Sequence, residues 1–108
     1  MGGMARTLRI SIPHHLSPQE VRNRLEKGLT DFRASPLSKS ATLAEIWQGD
    51  TLHLEARAMG QTINGRINIQ PTTVEVEVDL PWALAMLAGK ITKGIEQEGR
   101  KLLEEKKS

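Results

Sequence analysis

Residues 43–80, LAEIWQGDTLHLEARAMGQTINGRINIQPTTVEVEVDL, decide the fold. Leu52, Leu54, Ala56 and Ala58 alternate with His53, Glu55 and Arg57; Ile63, Gly65, Ile67 and Ile69 alternate with Asn64, Arg66 and Asn68; Val74, Val76 and Val78 alternate with Glu75, Glu77 and Asp79. A period of two sends alternate side chains to opposite faces of a pleated strand, so each run is predicted to be a strand buried on one face. With Ala41 to Trp47 ahead of them, four strands follow one another. The breaks at Gln48-Gly49-Asp50, Gly60-Gln61 and Gln70-Pro71-Thr72 hold turn-forming residues and are too short for a crossover, which makes successive strands antiparallel neighbours. On the polar face, basic Arg57 and Arg66 meet acidic Glu75, Glu77 and Asp79, and cross-strand ion pairs are expected there.

Upstream, Thr7 to Ile12 alternates Leu8, Ile10 and Ile12 with polar residues and is predicted to be a further strand. Pro13-His14-His15 breaks it. Ser17-Pro18-Gln19-Glu20 then has the form of a helix start, with a hydroxyl to cap an orphan amide, a proline at the first helical position and a glutamate three residues on. Leu16 and Val21 stand where a hydrophobic staple places its two members. Val21, Leu25, Leu29 and Phe32 form one helical face, Ser35-Pro36 ends the helix, and residues 36–40 read as a polar connection. Downstream, Leu80-Pro81-Trp82 opens a second helical pattern reaching about Glu105, with Leu84, Leu87, Ala88, Ile91, Ile95, Leu102 and Leu103 along one stripe. The order β-α-β-β-β-β-α predicts a two-layer α+β fold. Its single antiparallel sheet carries a short N-terminal helix and a long C-terminal helix on its apolar face, as in a helix-grip arrangement.

The 108 residues suit one domain: residues 1–6 read as a flexible leader, 7–105 as the domain and 106–108 as a frayed tail. Without cysteine there is neither a disulfide framework nor a thiolate for catalysis or metal binding. No apolar run approaches a membrane span and no secretory leader is evident, so a cytoplasmic location is expected. A net charge of +2, scattered basic residues and only three aromatics argue against nucleic acid, whose binders gather cations into a stripe with stacking rings.

Candidate sites are few. His14 and His15 are adjacent, and side chains of neighbouring residues rarely converge on a metal or a substrate proton; loop hydrogen bonding is the plainer reading. The serines lack the surroundings of an activated nucleophile, and Gly60 to Gly65 lacks the spacing and the lysine of a phosphate loop. No catalytic residue, metal ligand or cofactor is expected. Trp47, before the Gly-Asp turn, can stack on a ligand or close one end of the core, and Trp82 can lie on the sheet or protrude into an interface. A helix of about 25 residues outruns strands of about 20 Å, which leaves Leu102 and Leu103 as an exposed apolar end.

Several short stretches in order, Ile46-Trp47-Gln48-Gly49-Asp50-Thr51-Leu52, Asn64-Gly65-Arg66-Ile67 and Val76-Glu77-Val78-Asp79-Leu80-Pro81, preceded by a strand, a His and Leu and a capped helix, resemble the polyhydroxyalkanoic acid system proteins, the polyhydroxyalkanoate granule region family. The resemblance runs from Leu8 to about Leu103. It implies a small bacterial protein with a part in polyhydroxyalkanoate storage, and it brings no established catalytic residue with it. The leading expectation is a non-enzymatic accessory protein at the storage-granule surface. Its expected partners are a second copy, another granule protein or the polymer surface, met through the C-terminal helix. The alternative is a binding protein for hydroxyacyl-type ligands in a helix-sheet cleft, where Ala56, Ala58, Gly65, Ala85 and Ala88 leave room. A third, RNA or ribosome binding through the sheet, requires salt-sensitive affinity.

Overall fold

The computed structural model describes residues 6–39, 41–58 and 60–104. Strands β1 (Arg6–Pro13), β2 (Ala41–Gln48), β3 (Thr51–Ala58), β4 (Gln61–Ile69) and β5 (Thr73–Leu80) form one antiparallel sheet in the order β1-β5-β4-β3-β2. Helix α1 (Pro18–Ala34) joins β1 to the hairpin series through a short 3-10 turn at Pro36–Lys39. After β5 a six-residue 3-10 segment, Trp82–Leu87, runs straight into the 16-residue helix α2 (Ala88–Leu103). The expected architecture is therefore present. Of the expected leader, Arg6 belongs to β1, and residues 1–5 lie outside the described ones, as do residue 105 and the expected tail 106–108; Glu104 follows α2.

The turns take the positions their residues favour. Gly49 and Gly60 adopt φ of 59° and 74°, left-handed values that a side chain makes costly. At the third turn Gln70 N–H donates to Thr73 O (2.8 Å). Ser17 Oγ accepts from Glu20 N–H (3.1 Å), but the capping box is half formed: the Glu20 carboxylate pairs with Arg24 (2.9 Å) one turn on. Val21 is fully buried and Leu16 packs against the core, as a staple requires.

The core lies between the sheet and the two helices. Leu8, Ile10 and Ile12 of β1, Val74, Val76, Val78 and Leu80 of β5, Ile69, Val21, Ala88 and Leu103 form its buried cluster, and Leu25, Ile63, Ile67, Leu84, Ile91 and Ile95 pack around it. Each fully buried Leu or Val contributes about 1.5–3 kcal/mol of burial. Gly99 permits the close approach of α2 to β1, because a Cβ there would collide with Ile12 Cδ1.

One expectation is corrected here. Leu103 is buried and Leu102 lies half-buried against Gly28 of α1, where a Cβ would be 3.6 Å from Leu102 Cδ1. The overhanging apolar end does not exist, because the first six residues of the helical segment form the 3-10 turn at the sheet's end and α2 itself spans only about 24 Å. Arg24 closes the far end by donating from Nη1 to the carbonyls of Leu102 (3.2 Å) and Glu104 (2.7 Å), a cation where the helix dipole favours one.

Candidate functional site

Three surfaces hold what the core does not use. The first is the open face of the sheet, opposite the helices. Arg66 of β4 reaches Glu77 (3.0 Å) and Asp79 (3.2 Å) on β5; Arg9 of β1 reaches Glu77 (3.3 Å) and Thr7 Oγ1 donates to Asp79 Oδ1 (2.8 Å). Hydrogen bonds from Arg66 and then Thr7 hold the Asp79 carboxyl below its ordinary range, and Asp79 followed by Glu77 raises the Arg66 guanidinium above its own. Arg57 departs from the expected set: it pairs with Glu55 (3.4 Å) on its own strand, since β4 stands between β3 and the acids of β5. Beside this network an open groove of about 430 Å³ runs past Ala44, Ile46, His53, Asn64 and Arg66. The charged groups of the network satisfy one another, which is the behaviour of a solvated ion-pair face.

The histidines separate. His15 is exposed, whereas His14 is buried and hydrogen-bonded at both ring nitrogens. Leu16 N–H donates to Nδ1 (3.1 Å), so the ring proton resides on Nε2 and donates to Gln70 O (2.9 Å). His14 N–H also donates to Thr72 O (2.9 Å). His14 thus ties the end of β1 to the β4–β5 turn, the loop role expected of it. Among the described residues no group of three His, Asp or Glu side chains is placed to hold a metal ion.

The second surface is an apolar cleft of about 280 Å³ between helices and sheet, bordered by Ile12, Leu25, Leu54, Ile67, Ile95 and Leu102 and floored by Gly65. Of the small residues expected to open such a space, Gly65 borders it; Gly99, on α2, opens it from the other side.

The third surface is the 3-10 segment. Trp82 is 71% exposed and Met86 88%, both on the six-residue segment that joins β5 to α2. Residues 81–95 contain no acid, and the exposed Lys90 and Lys93 follow the apolar pair. Of the two readings open for Trp82, protrusion is the observed one. Trp47 faces the helices instead: the Arg22 guanidinium stacks 4.1 Å from its ring centroid and reaches Gly49 O (3.5 Å), fastening α1 onto the β2–β3 hairpin. Trp82 and Trp47 lie at different parts of the molecule and do not form one site with Leu102 and Leu103.

The family model described as "putative polyhydroxyalkanoic acid system protein" matches residues 8–103, which span the sheet, both helices and the 3-10 segment. The chain belongs to this polyhydroxyalkanoic acid system family. No curated protein matches it. In this family member, Met86 is the functional candidate that sequence reasoning missed; on a helical wheel it falls outside the apolar stripe, and that mismatch is the signal available in the sequence.

Proposed function

We propose that the protein is a non-enzymatic accessory protein of bacterial polyhydroxyalkanoate storage that adsorbs to the granule surface through Trp82 and Met86. The observation that carries this reading is the exposure of that pair. A soluble domain seldom leaves an aromatic ring and a methionine uncovered on one six-residue segment, and such a pair suits an apolar surface that water must leave. Trp carries a large apolar body with a polar N–H, which suits the boundary between polymer and water, and Lys90 and Lys93 keep their charges in the aqueous layer. Membership of the polyhydroxyalkanoic acid system family supplies the cellular setting. Fractionation of polymer-accumulating cells tests the proposal. Granules purified from cells expressing the tagged chain are expected to carry it, and recovery wholly in the soluble fraction rejects granule association.

A second reading rests on the cleft. Its volume of about 280 Å³ is near the lower end for small-molecule sites, about 300 Å³, and its apolar border suits an acyl chain rather than a charged group. On this reading 3-hydroxyacyl ligands raise the melting temperature increasingly with chain length until the cleft is full; at a concentration about 100 times Kd the stabilisation is about 2.7 kcal/mol. A response that is flat with chain length excludes it.

A further inference from the structure

The sheet has two edges, and they are built differently. β1 carries Arg6, Arg9 and Pro13, residues that discourage further strand pairing. β2, at the other edge, reads ATLAEIWQ and has no Lys, Arg or Pro. The Gln48–Thr51 pair closes a two-residue turn, so it is a hydrogen-bonded pair, and the antiparallel alternation directs the backbone N–H and C=O of Leu43, Glu45 and Trp47 away from β3. Arg33 Nη2 reaches Leu43 O at 3.5 Å, which leaves Glu45 and Trp47 as the open stretch of that edge.

Two further observations fall on the same stretch. Among the described residues, two buried side-chain polar atoms lack a hydrogen bond, Glu45 Oε1 and Trp47 Nε1. Glu45 Oε1 is in ion-pair contact with Arg33, but not in hydrogen-bonding geometry, and the indole N–H has no acceptor. Between them in sequence, and on the opposite face, Ile46 is 64% exposed.

We propose that β2 is a self-association edge, with two copies of the chain pairing β2 to β2 antiparallel about a two-fold axis at Ile46, so that their sheets become continuous. That register makes Ile46 meet Ile46 of the second copy in a non-hydrogen-bonded pair, where side chains approach most closely. It also sets Glu45 opposite Trp47 of the second copy, and Trp47 opposite its Glu45, in hydrogen-bonded pairs that take up the backbone N–H and C=O groups this edge leaves open. The self-complementarity identifies the occupant as a second copy, since one strand supplies both halves of every match. A register centred on Glu45 opposes two carboxylates and is disfavoured.

The native chain has no cysteine, which allows single-cysteine reporters on the full-length protein. Ile46→Cys is expected to oxidise to a covalent dimer at least about tenfold faster than Ala44→Cys, whose neighbour in this register is Gln48 of the second copy rather than itself. Sedimentation is expected to show a dimer for the unmodified chain and a monomer for Ile46→Lys, with circular dichroism of the two unchanged. A monomer at all concentrations up to about 1 mM, a dimer that survives Ile46→Lys with an intact fold, or equal oxidation of the two cysteine variants overturns the proposal.

Discussion

The two ends of the sheet make a useful contrast. At the β1–β5 end every inward residue from Leu8 to Ile12 and from Val74 to Leu80 is buried, and α2 lies over them with its Gly99 almost against Ile12. At the β2–β3 end Leu52 is, among the residues whose burial is described, the one buried outright; Leu43, Glu45 and Trp47 are half-covered by a helix that reaches them through Arg22 and Arg33. One end is held by apolar packing and the other by long cationic side chains laid over a strand. The first supplies stability, and the second leaves an edge open. The same division separates core from candidate sites, for the exposed Trp82 and Met86 belong to the segment that leaves the packed end before α2 begins.

The largest expected effect tests that contrast directly. Leu80→Ala, at a fully buried position of β5, should cost about 3 kcal/mol, and Leu43→Ala, half-covered on β2, about 1 kcal/mol, as read from urea unfolding. Equal costs contradict the division. Next in size is His14→Ala, which strips Leu16 N–H and Gln70 O of their buried partner at the packed end; a loss of about 2 kcal/mol is expected, with little change for His15→Ala.

A smaller effect concerns the open face. The Asp79 carboxyl is held low by Arg66 and Thr7, so its contribution is fully present above the unfolded-chain value and is lost as pH falls through the lower folded one. Asp79→Asn should therefore cost about 1 kcal/mol or less at neutral pH, and its stability should converge with that of the parent below the folded value in a pH series of thermal melts. A gap that widens on acidification reverses the sign and removes the ion-pair account. The smallest effect compares two glycines of α2. Gly94→Ala, with open space around its Cβ, should stabilise by about 1 kcal/mol, whereas Gly99→Ala pushes the Ile12 methyl toward the cleft and should forfeit most of that gain.

Most of the sheet was legible because period-two alternation and short turns are local signals. The runs at 52–58, 63–69 and 74–78, and the Ser17 cap, became strands and a helix start where their patterns placed them. What was not legible depended on distant chain. Glu45 faces the helices, which a charge in a strand pattern does not announce; its stabiliser, Arg33, stands on another element. That β2 is an edge follows only from strand order. The 3-10 start at Trp82–Leu87 has no signature of its own in the sequence, because Leu84, Leu87 and Ala88 fit either period over so short a stretch; a helix continuous from Pro81 is too long by that segment, and it is this extra length that predicts an exposed Leu102 and Leu103.

The most direct measurement of the central claim is adsorption of purified protein to washed polyhydroxyalkanoate granules, comparing the parent chain with the double variant Trp82→Ser, Met86→Ser. Both positions are exposed, so the variant should melt with the parent while its bound fraction falls about tenfold or more, in line with removal of two apolar side chains from an interface. Undiminished adsorption by a variant of unchanged stability contradicts the account.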